Sequence, residues 1–97
     1  MTKTVVVGGG TSGLAAAYTL ERAGADCVVL EKREFSGGRI YGAVRDGITL
    51  DLGAQFLFYR YRTTFDLLDQ MGVRDEMVVF RPFLGFVTEG KWFVRHP

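Results

Sequence analysis

Cysteine is nearly absent. Cys27 stands alone, which excludes an internal disulfide and any cysteine-based zinc site. Histidine is as scarce: His96 is the single one, with no cluster of further ligands around it, so it reads as a surface residue and not as part of a metal site. Charge of one sign is missing too. Twelve basic residues against 11 acidic ones leave a net charge of +1, so no global field gathers nucleic acid or an anionic membrane. No apolar run approaches the roughly 20 residues that span a bilayer. The start lacks the basic-then-apolar order of a secretory signal, because Val5–Val7 is short and breaks into glycine. These absences lead to the expectation of a cytoplasmic protein. Neither an internal repeat nor a low-complexity linker is present. What remains is 97 residues, enough for one small domain, with 47% hydrophobic residues from which a core is expected.

The chain is organised around its start. Val5-Val6-Val7 runs into Gly8-Gly9-Gly10-Thr11-Ser12-Gly13, which gives the spacing G-x-G-x-x-G at Gly8, Gly10 and Gly13. At this spacing Gly8 permits a tight strand-to-helix turn, and Gly10 has no side chain to keep a pyrophosphate off the backbone. Gly13 lets the helix lie close on the strand. The unpaired N–H groups and the dipole of the first helical turn then face the phosphates. A strand is expected over 4–7, buried on both faces, and a helix over 12–23 capped by Thr11 or Ser12. Gly24 is a natural stop, and a second, parallel strand over 26–30 ends in Glu31, where an acid can accept hydrogen bonds from ribose hydroxyls. Lys32 and Arg33 beside it could meet a 2′-phosphate, but Glu31 would repel one. Cys27, in mid-strand, reads as a buried and inert thiol.

Beyond Glu31 the pattern changes. Lys32–Ser36 is polar and irregular, and Gly37-Gly38-Arg39 reads as a flexible turn carrying one cation. Ile40–Arg45 and Ile48–Leu52 read as a hairpin around Asp46-Gly47. A helix capped by Thr63 or Thr64 is expected through Met71, with Phe65, Leu68 and Met71 on one face and Gly72 as its stop. A strand over Glu76–Phe80, ended by Pro82, and a second hairpin, Leu84–Thr88 with Lys91–Arg95 around Glu89-Gly90, complete the chain. The fold class expected is α/β: a partial Rossmann-like domain, with a parallel β-α-β start, short antiparallel hairpins and one further helix. A doubly wound domain needs a third parallel strand, and none follows, so the 97 residues read as the front of a larger protein whose substrate domain is absent. Tyr59-Arg60-Tyr61-Arg62 alternates aromatic and basic residues, as nucleic-acid binders do, but at net charge +1 it reads better as packing on a missing domain. The aromatics of the second half, among them Phe56, Phe58, Phe80, Phe83, Phe86, Trp92 and Phe93, are too many for so small a core and are expected to drive self-association.

These residues together carry a resemblance. The stretch Val5–Ala17, with Gly24, Val28-Val29-Leu30-Glu31, Gly37-Gly38-Arg39 and Ile48–Phe56, resembles the N-terminus of the flavin-dependent amine oxidase superfamily. That group includes monoamine oxidases, protoporphyrinogen oxidases and phytoene desaturases. The resemblance implies FAD. It implies that Gly8, Gly10 and Gly13, with Thr11 and Ser12, hold the pyrophosphate, and that Glu31, with Lys32 beside it, meets the adenosine ribose. It implies that Gly38 and Arg39 lie beside the phosphate–ribityl portion, and that Gly53, Ala54 and Gln55 approach the flavin end. Read alone, Arg39 is as well explained as a solvated loop charge and Gly53 as a strand terminator. The resemblance also implies oxidation of C–N or C–C bonds by hydride transfer to flavin in the full protein, with no catalytic residue and no metal ligand assigned among these 97. The alternative from another class is a freestanding nucleotide-binding or interaction module without redox activity.

Overall fold

The computed structural model describes residues 2–81 and 83–95. The expectations that Pro82 ends a strand and that His96 lies on the surface fall outside those residues. The chain divides into two compact units, Met1–Arg62 and Thr63–Pro97.

The first unit opens with β1 (Thr4–Val7), α1 (Thr11–Arg22) and β2 (Cys27–Leu30), and the two strands pair in parallel with Thr4 opposite Cys27 and Val7 opposite Leu30. The glycines do what their spacing requires. Gly8 takes φ 101°, a conformation that favours glycine. A Cβ on Gly13 would run into the Gly8 carbonyl oxygen, so its absence is what lets α1 lie on the strand end. Val6 is the next neighbour at that contact, and the Cys27 thiol donates to the Ala17 carbonyl of α1 at 3.6 Å, tying helix to strand again. Gly24 ends the helix at φ 79°.

The expected capping is corrected here. Gly10, in an extended conformation, is the N-cap of α1, and no side chain caps it. Thr11 is already helical, so neither its hydroxyl nor that of Ser12 stands where a cap must. The expected burial is corrected as well. Thr4 and Val6 are half-buried while Val5 and Val7 are exposed, an alternation that follows from one helix covering one face of a two-stranded sheet. No hydrophobic side chain among the described residues is fully buried, so the core expected from composition is not assembled.

The unit continues through a loop to β3 (Gly42–Arg45) and β4 (Ile48–Asp51), antiparallel with Gly42 opposite Asp51. Asp46 and Gly47 both have positive φ, 52° and 76°, as a type I′ hairpin turn requires. The pairing runs past the strand ends. The Leu52 amide donates to the Tyr41 carbonyl at 2.9 Å, and the Ala54 amide to the Arg39 carbonyl at 3.0 Å.

The second unit holds α2 (Arg62–Met71, its first residue falling in the unit before), a 3-10 turn (Arg74–Glu76), and the antiparallel pair β5 (Leu84–Thr88) and β6 (Lys91–Arg95). Because α2 starts at Arg62, Thr63 and Thr64 lie inside its first turn and are not its caps. Phe65 and Leu68 are half-buried on one face, and Gly72 stops the helix at φ 70°. The guanidinium of Arg74 lies over the Phe65 ring, 4.8 Å from its centroid, and pairs with Asp69 at 2.6 Å. The strand expected over Glu76–Phe80 does not form. Glu76 belongs to the 3-10 turn, and residues 77–80 have no ladder to join, which β-branched Val78 and Val79 cannot replace by propensity alone. The β5–β6 hairpin turns on Glu89 and Gly90, at φ 50° and 74°, with Phe86 and Phe93 facing across it at 6.1 Å. No helix among the described residues is long and apolar enough to cross a membrane.

Candidate functional site

The site begins where the parallel strands end. Leu30 and Val7 finish side by side, and the Gly8 amide donates to the Leu30 carbonyl at 2.7 Å, carrying the pairing one step beyond β1. The chain then turns through Gly9 and Gly10 into α1, whose first backbone bond runs from the Leu14 amide to the Gly10 carbonyl at 2.9 Å. The amides of Thr11, Ser12 and Gly13 precede that bond and have no partner within the helix. With no side-chain cap at Gly10, the positive end of α1 is presented at the carboxyl ends of the strands, the usual place for a ligand in this topology.

Glu31 stands directly against this turn. Its Oε2 accepts the Gly9 amide at 2.6 Å and its Oε1 accepts the Arg33 amide at 3.0 Å. The Arg33 amide, then that of Gly9, hold the Glu31 carboxyl below the ordinary glutamate range. The Lys32 amide and the Arg33 charge pull the same way, and partial loss of water opposes them. An ionised carboxylate has about four lone-pair positions. The Gly9 and Arg33 amides take one position on each oxygen and the Lys32 amide draws on the carboxylate too, so acceptor capacity is left for a further hydroxyl donor.

The expected turn forms at Gly38-Arg39, with the Ile40 amide donating to the Gly37 carbonyl at 3.1 Å, and it is tied to the glycine-rich turn. Gly10 and Gly37 form a parallel bridge, with the Gly37 amide donating to the Gly9 carbonyl at 2.7 Å. Gly37 and Gly38 have φ 110° and 63°, and a Cβ on Gly38 would stand 3.1 Å from the Gly10 Cα. Two backbones therefore meet at two glycines, and this delivers Arg39 to the same end of the sheet as the start of α1. The extension of the β3–β4 ladder then brings in residues 52–54. A Cβ on Gly53 would collide with the Arg39 carbonyl, so Gly53 is glycine for close approach, not merely for ending a strand.

The result is a cleft of about 740 Å³ lined by Thr11, Gly38, Arg39, Gly53 and Ala54, with Arg33, Phe35, Ile40, Tyr41 and Leu52. Five of the residues named from the sequence thus share one wall system. Gly8, Gly10, Ser12, Gly13 and Glu31 belong to the adjoining turn and do not line it. Lys32 is exposed and does not line this cleft. Gln55 also stays out: its amide nitrogen donates to the Asp51 carbonyl at 2.9 Å.

Of the second five lining residues, Arg33 was weighed only against a 2′-phosphate, and Phe35, Ile40, Tyr41 and Leu52 were missed as site residues. Phe35 and Tyr41 stack with centroids 4.9 Å apart, and the Arg33 guanidinium lies 5.8 Å from the Phe35 centroid. The only signal for them was their place on either side of Gly37-Gly38. Two guanidinium groups and no carboxylate line the cleft, which suits a ligand rich in phosphate. The donor set and the open helix start fit a dinucleotide.

Comparison with known proteins agrees. The family "Flavin containing amine oxidoreductase" matches residues 11–91. The putrescine oxidase of Kocuria rosea is 41% identical over 69 residues, which is 71% of this chain and 14% of that protein. A probable flavin-containing monoamine oxidase A of Dictyostelium discoideum is 36% identical over 70 residues, covering 72% of this chain and 15% of the relative. Among solved structures, wild-type putrescine oxidase bound to putrescine superposes with a TM-score of 0.72 at 28% identity, over 99% of this chain and 22% of the other. The chain therefore spans roughly a fifth or less of the proteins it matches.

Proposed function

The chain belongs to the family of flavin containing amine oxidoreductases, whose cofactor is FAD, and from that premise we propose that it is the N-terminal FAD-binding portion of a larger oxidoreductase. The observation that carries the reading is the convergence of the open α1 start, Arg39 and the 53–54 segment on one cleft. In this reading Gly8, Gly10 and Gly13 let the pyrophosphate reach the amides of Thr11, Ser12 and Gly13. Glu31 accepts the adenosine ribose hydroxyls, with Lys32 at the rim. Gly38 and Arg39 take the phosphate–ribityl portion, where a guanidinium can meet two phosphate oxygens at once. Gly53, Ala54 and Gln55 face the flavin end.

FAD supplies, when bound, a ring that accepts hydride. The residues of this chain bind it, orient it and balance its phosphate charge, and none of them is assigned a catalytic role. The whole protein would oxidise C–N or C–C bonds. A lone cysteine supports a reducing, cytoplasmic setting. The exposed aromatics of residues 56–93 support self-association of the chain when it stands by itself.

Calorimetric titration of the nucleotide-free protein with FAD, NAD and NADP tests the cofactor assignment. FAD is expected to bind selectively, and Glu31→Ala to weaken it about tenfold or more, the scale of a lost hydrogen bond to a charged group. Preference for NAD, or no binding of any of the three, would count against it.

A further inference from the structure

Glu31 has an occupation that ribose recognition does not explain. Its carboxylate is already bonded on both oxygens to the protein's own backbone, through Oε2 to the Gly9 amide and through Oε1 to the Arg33 amide. Gly9 fills a position at which the fingerprint admits any residue, yet it is the one buried residue among those described. The reason is the same carboxylate. A Cβ on Gly9 would stand 3.1 Å from the Glu31 Cβ and 3.2 Å from Oε2, so even a methyl demands that the Glu31 side chain give way. The Gly9 carbonyl is taken as well, by the Gly37 amide at 2.7 Å.

Both polar groups of Gly9 are therefore fixed from the segment that follows β2. A turn of consecutive amides beside a helix start gathers positive potential, and an anion placed against it sets its shape. Here that anion is part of the chain. We infer that Glu31 is a positioning residue, a built-in anion that holds the glycine-rich turn through the Gly9 amide before any cofactor arrives, and that position 9 is glycine to admit it. The inference rests on the cofactor reading only for what the turn is prepared to receive.

The groups around the carboxylate make its titration legible. The turn that meets it, Gly8 to Gly10, the strand before that turn and the Gly37-Gly38 bridge carry no titratable side chain, while Lys32 and Arg33 flank it on its own segment. The test follows the backbone amide resonances of the cofactor-free protein through an acid titration. In the unsubstituted protein the Gly9 and Arg33 amides are expected to shift together, with one midpoint below the ordinary glutamate range. Glu31→Gln should abolish both transitions, since it leaves no carboxyl to titrate, and Gly9→Val should abolish the Gly9 transition with the carboxylate still present.

FAD titration of the same set should show each variant weakened about tenfold or more, and the double variant weakened by far less than the product of the two losses. Gly9 and Arg33 amides indifferent to acid would overturn the inference, even if Glu31→Gln still lost FAD. Glu31 would then act on the ribose alone. Coupled titration in a protein that binds no FAD would leave the inference standing and remove the cofactor assignment.

Discussion

At the scale of single residues, the chain is governed by what glycines permit. Gly13 shows how competing magnitudes are decided. Alanine at a helical position gains about 1 kcal/mol over glycine, but a Cβ there meets the Gly8 carbonyl oxygen, and overpacking of that kind costs about 1–3 kcal/mol. Gly13→Ala is expected to lower the thermal midpoint, and an unchanged or raised midpoint in a melt would show that the helix start can shift. Glu31 adds a dependence on pH. Its carboxyl is held below the ordinary range when folded, so its stabilising effect is complete above that range and is lost as pH falls through the lowered value. Melting points measured down the acid limb should fall more steeply for the native protein than for Glu31→Gln, and parallel curves would contradict this. The roles of Gly8 and Gly13 in the turn were legible because their spacing encodes backbone geometry. The grip of Glu31 on Gly9 was not, since it depends on a side chain folding back across a distance that spacing alone does not report.

At the scale of elements, the hairpins were legible almost to the residue, because a two-residue turn with positive φ at both positions tolerates few sequences. Asp46-Gly47 and Glu89-Gly90 both form it. Glutamate is a poor occupant of the left-handed region, so Glu89→Asn should stabilise the β5–β6 hairpin, whereas Gly90→Ala should cost about 1–2 kcal/mol. Denaturant midpoints of the two variants are expected to move in opposite directions, and movement in the same direction would rule out this turn geometry. The missing strand at 77–80 and the misplaced helix caps mark where local pattern stops deciding. A strand needs a partner, which lies elsewhere in sequence, and a cap depends on which residue first turns helical, here the one after the extended Gly10.

At the scale of the whole molecule, composition and packing part company. Nearly half the residues are hydrophobic, yet none is fully buried among those described: Val7 is 83% exposed and Trp92 76%. Within each unit, two-stranded pairs and a single helix offer too few faces to one another. Light scattering on the chain by itself at high micromolar concentration should therefore give a mass above that of one copy, and a monomeric mass would refute self-association. The bridge between Gly10 and Gly37 has its own consequence at this scale. It closes a loop that contains α1 and β2, and loop closure costs entropy before the contact returns any energy. The wall that carries Arg39 is thus tied to the β-α-β unit by a contact that spans a whole helix and strand, the costlier kind to close. A ligand held by both sides of the bridge would offset part of that cost, so occupancy of the cleft and closure of the loop should reinforce one another.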